Sequence, residues 1–89
     1  MAISPTTKKT IPSSWTLLAS GAGVVQVWPQ KPGSNFRVAF GADAVTAPIA
    51  GIVGDRYTHG ERLDLTMEAG EYLYWEGTGT AEVNSDNLV

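Results

Sequence analysis

Acidic residues gather late in the chain, at Asp64, Glu68, Glu71, Glu76 and Glu82. A facing pair of carboxylates could hydrolyse a glycosidic bond, one as general acid and the other as base or nucleophile. Here every one of these acids stands at a turn or at an outward-alternating position, which is the pattern of a solvated β-meander. Asp43, Asp55 and Asp64 are calcium-ligand types, but their spacing follows no calcium loop. His59 is the single histidine, and the chain has no cysteine. His59 has no cysteine and no serine–base context around it, so a catalytic histidine is not expected, and no Cys-based or His-rich metal site can be assembled from that inventory. The glycines of "GAGVV" lack both the GxGxxG spacing and the strand–helix setting of a phosphate loop. The expectation is therefore a protein that is not an enzyme, with no catalytic residue, no metal ligand and no cofactor.

The elements that would have to position any site are short. With 89 residues the chain reads as one small domain. A domain of this size buries only about 60% of its unfolded surface. No disulfide can reinforce it, so a partner chain is the staple that remains. The net charge of −3, with Lys8-Lys9 as the only adjacent basic pair, argues against nucleic acid as the ligand. No apolar run approaches the roughly 18 residues of a membrane span. "WTLLA" is too short for a signal-peptide core of about 7–15 residues. The expectation is synthesis in the cytoplasm and no membrane association.

Residues 1–14, "MAISPTTKKTIPSS", show neither helical nor strand periodicity and read as an extended arm. Residues 15–89 read as a single β-domain. "WTLLA", "VVQVW", "FRVAF", residues 63–67, residues 72–76 and residues 80–83 all read as strands, with turn residues between them. "GADAVTAPIAGIVGDRYTHG" reads as a long connection with one short strand near residues 49–53. The fold class is all-β: a small β-sandwich or jelly-roll-like domain with an extended N-terminal arm.

The aromatic residues carry the most information. "YLYW" sets Tyr72 and Tyr74 on one face of its strand and Leu73 and Trp75 on the other. "VVQVW" likewise sets Val25 and Val27 opposite Val24 and Trp28. A two-layer sandwich buries one face of each sheet. The second face then needs a cover, either the chain's own arm or another subunit. In the arm, Pro5 and Pro12 favour extended backbone, Ile3 and Ile11 offer apolar anchors, and Lys8 and Lys9 can meet an acidic surface. The expected contact residues are Ile3, Lys8, Lys9, Ile11, Trp28, Tyr72 and Tyr74.

"WTLLASGAGVVQV", "GERL", "AGEYLY" and "GTGTAEV" together resemble small structural proteins of tailed bacteriophages. That resemblance implies a short β-sandwich or jelly roll repeated over a virion as a capsid decoration (cement) protein or a head or tail accessory. It implies a homo-oligomer, trimer or dimer, with a major capsid or other virion protein as the further partner. It carries no catalytic residue across. The alternative is a carbohydrate-binding or host-adhesion module of a phage tail or fibre, in which exposed aromatics form the platform and a glycan is the ligand.

Overall fold

The computed structural model describes residues 7–46 and 56–89. They form eight strands: β1 (Thr7–Thr10), β2 (Thr16–Ser20), β3 (Gly23–Pro29), β4 (Asn35–Gly41), β5 (Arg56–Thr58), β6 (Leu63–Met67), β7 (Tyr72–Thr78) and β8 (Thr80–Ser85). No helix occurs among the described residues. The all-β expectation holds.

The strands make two antiparallel four-stranded sheets, in the orders β1-β8-β3-β6 and β2-β7-β4-β5. The first strand pairs the last, the second the seventh, the third the sixth and the fourth the fifth. The chain is thus a nested ribbon of hairpins. Two further pairings, β3 with β8 and β4 with β7, join the ribbon into sheets. Only the β4–β5 connection stays within one sheet; every other connection passes between the two.

Period-two alternation decides which residues those sheets bury. In β3, Val25 and Val27 are fully buried while Gln26 and Trp28 point outward. Directly opposite residues on paired strands share a face. Val25 and Val27 therefore lie with Leu65 and Leu63 of β6, and Val27 also with Val83 of β8. The other sheet contributes Leu18, Ala19, Phe36, Leu73 and Trp75 to the same core cluster. Phe36 stacks on Tyr57 with ring centroids 5.2 Å apart. Trp75 meets Phe36 edge-on at 6.0 Å.

One end of the core is closed by a corner that sequence reasoning misassigned. The backbone N–H of Ile11 donates to the Gly79 carbonyl at 2.8 Å, and that of Gly77 donates to the Pro12 carbonyl at 2.8 Å. Ile11 is only 4% exposed. Gly79, the single residue between β7 and β8, turns the chain from one sheet to the other with φ of 97°. A Cβ at that position would collide with Ser34, whose hydroxyl accepts the Thr80 N–H at 3.1 Å.

The expected arm over residues 1–14 is corrected accordingly. Thr7–Thr10 is an edge strand hydrogen-bonded to β8, and Ile11 belongs to the core. The β-domain therefore begins no later than Thr7 and not at residue 15. Periodicity could not show this, because "TKKT" lies at a sheet edge and carries no apolar face. Two other differences concern the long connection. The strand expected near residues 49–53 falls outside the described residues, and β5 at Arg56–Thr58 was not expected. By contrast, β6 matches residues 63–67, and Gly70 takes the expected positive φ, 86°, in the β6–β7 turn.

Two outcomes follow from this core. Trp75→Ala should lower the free energy of unfolding by about 3–5 kcal/mol in denaturant titrations, the usual range for deleting a buried large ring. Ile11→Ala should lose about 2–5 kcal/mol, and removal of residues 1–11 should lower the melting temperature further. An unchanged melting temperature in the truncated chain would place Ile11 and β1 outside the folded unit.

Candidate functional site

The expected contact residues divide sharply. Ile11 and Tyr74 are 4% and 3% exposed and cannot serve as free contact points. Lys8 is exposed, whereas Lys9, Trp28 and Tyr72 are half-buried. Ile3 lies outside the described residues. Lys8 and Trp28 come together, because both are register partners of Glu82, so Lys8, Glu82 and Trp28 form one row across the outer face of β1, β8 and β3. Tyr72 and Tyr74 belong to the other sheet.

Tyr74 answers the question of the second face. Its strand, β7, lies between β2 and β4, and its ring points away from Leu73 and Trp75. The cover is residues 41–46 of the same chain, in place of the arm or partner expected. The Tyr74 hydroxyl donates to the Asp43 carbonyl at 2.7 Å. A methyl group at Gly41 would collide with the Tyr74 ring, so glycine is what lets the loop lie close. Asp43 fixes that loop by accepting the Val45 N–H at 2.9 Å and the Thr46 N–H at 2.7 Å. These hydrogen bonds, with one from the Thr46 hydroxyl, hold the Asp43 carboxyl below its ordinary range. Burial, and then the Asp43 charge, push the Tyr74 phenol above its ordinary value.

Several of the acids engage neighbouring side chains or their own turns. Glu76, outward on β7, pairs with Arg37 of β4. The Arg37 guanidinium lies 5.2 Å from the centre of the Trp15 ring. Arg56 donates to the Asn35 amide oxygen on the neighbouring row. Asp64 accepts from Gln26 at 3.2 Å and from Arg62 at 3.3 Å. Glu71 accepts the Glu68 N–H across its own turn. Asp55 is outside the described residues. Among the described residues no three His, Asp or Glu side chains are placed to hold a metal ion.

A concavity among the described residues lies over the first sheet. It has a volume of about 560 Å³ and is lined by Trp28, Pro29, Gln30, His59, Gly60, Glu61, Arg62 and Glu82. β3 supplies the indole, and β8 supplies Glu82 beside it. Gln30, just past the end of β3, is anchored by its backbone N–H on the Thr80 carbonyl at 2.9 Å. Its side-chain amide donates to Glu82 at 2.8 Å. The β5–β6 turn makes the wall. There Glu61 accepts the Thr58 N–H at 2.9 Å and the Thr58 hydroxyl at 2.7 Å. These two bonds, the hydroxyl first, lower the Glu61 carboxyl from its ordinary range. Of this set only Trp28 was expected as a contact residue. Gln30 follows it along the chain, whereas His59, Glu61 and Arg62 are brought to it by the β3–β6 pairing, which no local pattern announces.

The Tyr74–Asp43 contact gives a pH signature. A phenol raised in the folded state contributes stability that is intact below the ordinary tyrosine pKa of about 10 and is lost as pH climbs through the folded value. A carboxylate lowered in the folded state contributes stability present above about pH 4 and lost as pH falls through its folded value. Absorbance titration should show one of the three tyrosines ionising last, and Tyr74→Phe should remove that phase. If the late phase survives in Tyr74→Phe, the phenol assignment is wrong.

Comparison of the chain with protein-family models, curated proteins and solved structures finds no match.

Proposed function

We propose that this chain is a structural virion protein, a capsid decoration or cement module that binds a shell and stabilises it through repeated contacts. The observation that carries the proposal is the nested strand order, in which partner strands are the first and last, second and seventh, third and sixth, and fourth and fifth. We infer that the two sheets pack as a jelly-roll sandwich, an eight-stranded architecture used by viral capsid domains and also by lectins. The bacteriophage resemblance of the sequence agrees with the first of those uses.

The sheet edges say how such a module would make contacts. An open edge invites uncontrolled strand addition. Here β2 carries a bulge between Leu17 and Ala19. Its free edge is also met by the C-terminal segment, through the Ala19–Leu88 bridge and the Val89 N–H on the Leu18 carbonyl at 3.1 Å. β5 has three residues. β1 carries Lys8 and Lys9, and Lys9 points toward the interior side because it opposes Ala81. With three of the four edges so guarded, contacts with other copies or with a shell run through side chains on faces and loops or along β6, the remaining edge. The exposed large apolar side chains among the described residues are Val45, 90% exposed on the turn that Asp43 holds, Val89 at the C-terminal end, Phe40 at the end of β4 and Val24 on β3.

The test is attachment. The purified chain should sediment with virus shells that lack it, and native mass spectrometry should show a dimer or trimer. Val45→Asp should weaken attachment about fivefold or more, by interrupting an apolar contact, with the melting temperature unchanged. No co-sedimentation with any shell, together with a monomeric mass, would overturn the reading.

A further inference from the structure

The groove beside Trp28 is not used by the virion reading, and its chemistry points elsewhere. Its floor belongs to β3 and β8, both inner strands hydrogen-bonded on two sides. No backbone edge is free there, so an extended peptide could not add as a strand, which is how a peptide is usually held on a sheet. The lining holds two carboxylates, Glu61 and Glu82, against one guanidinium, Arg62, and so does not favour an anion. What remains is one indole set among planar polar groups.

We propose that this groove binds a neutral saccharide, with Trp28 carrying the apolar face of a sugar ring and Gln30, Glu82 and Arg62 holding its hydroxyls. A sugar has both surfaces the groove offers, a C–H face and a rim of donors and acceptors. A carboxylate has about four acceptor positions, and Glu82 engages only one described side chain, Gln30. The volume falls within the roughly 300–1,000 Å³ usual for small-ligand sites. The wall is already set by the Glu61–Thr58 bonds and by the Glu61 N–H on the Thr58 carbonyl at 2.9 Å. Little ordering is left for the ligand to impose.

The site does not depend on shell attachment, and the two are read by different variants. The full chain should be applied to an array of neutral and acidic oligosaccharides, and hits titrated by calorimetry. A neutral oligosaccharide should bind, and Trp28→Ala should weaken it about tenfold or more, as loss of an aromatic platform does. Trp15→Ala, on the other sheet, should leave affinity unchanged. If Trp28→Ala does not fold, Gln30→Ala, a polar change at the surface, should still weaken binding about threefold or more. Failure of every neutral saccharide at millimolar concentration, binding of acidic saccharides only, unchanged affinity in Trp28→Ala or Gln30→Ala, or an equal loss in Trp15→Ala would each overturn the proposal.

Discussion

The burial of both faces of β7 is the constraint on which the rest of the molecule depends. Leu73 and Trp75 face the shared core, while Tyr74 faces outward and is nonetheless 3% exposed. A strand of this kind must be internal, and it is, with β2 on one side and β4 on the other. Its central place fixes much else. Val38 of β4 pairs with Trp75, and Phe36 meets the same indole edge-on, so the second sheet is registered on one ring. On the outer side, Tyr74 requires a lid, and residues 41–46 supply it at the cost of a glycine at position 41. In a chain with no cysteine, that two-sided burial takes the place of a covalent staple.

How much of this was legible follows from where each element sits. β3, β6 and β7 announce themselves because one face of each is apolar and the alternation is local. β1 does not, because its contribution is a row of backbone hydrogen bonds to β8, and hydrogen bonds leave no mark on side-chain pattern. Ile11 is a single apolar residue between polar neighbours. It reads as an anchor for something, and only the corner formed with Gly79 and Gly77 shows that the something is its own core. Likewise "YLYW" shows that a second face needs covering but not by what. The lid lies some thirty positions away, and sequence separation of that kind is carried by topology and not by periodicity.

The groove was invisible for the same reason. Trp28 reads as one more β-strand ring with an apolar partner face. Gln30 is its near neighbour in the chain, but Glu82 and the 59–62 turn come from two other places in the sequence and are joined to it only when β3 pairs with β6 and β8. The acids illustrate the complementary point. Their outward placement was read correctly from alternation, yet outward did not mean merely solvated: Glu76 pairs with Arg37, Asp64 accepts from Gln26 and Arg62, and Glu82 accepts from Gln30.

Edges and faces therefore do different work in this chain. Three of the four sheet edges are guarded, by Lys8 and Lys9 on β1, by the C-terminal bridge on β2 and by the shortness of β5, all of which oppose strand addition, while β6 is the fourth edge. On the inner strands only side chains are left to meet a partner, because the backbone groups are already spent within the sheet. That arrangement favours specific, shape-dependent contact over open-ended association, because a side-chain surface must match its partner in chemistry and register, whereas a free strand edge accepts any extended chain. A small all-β domain that is present at high local concentration would otherwise polymerise through its edges. In this chain three edges limit such pairing, while the faces of the inner strands present chemistry that a partner must match side chain by side chain.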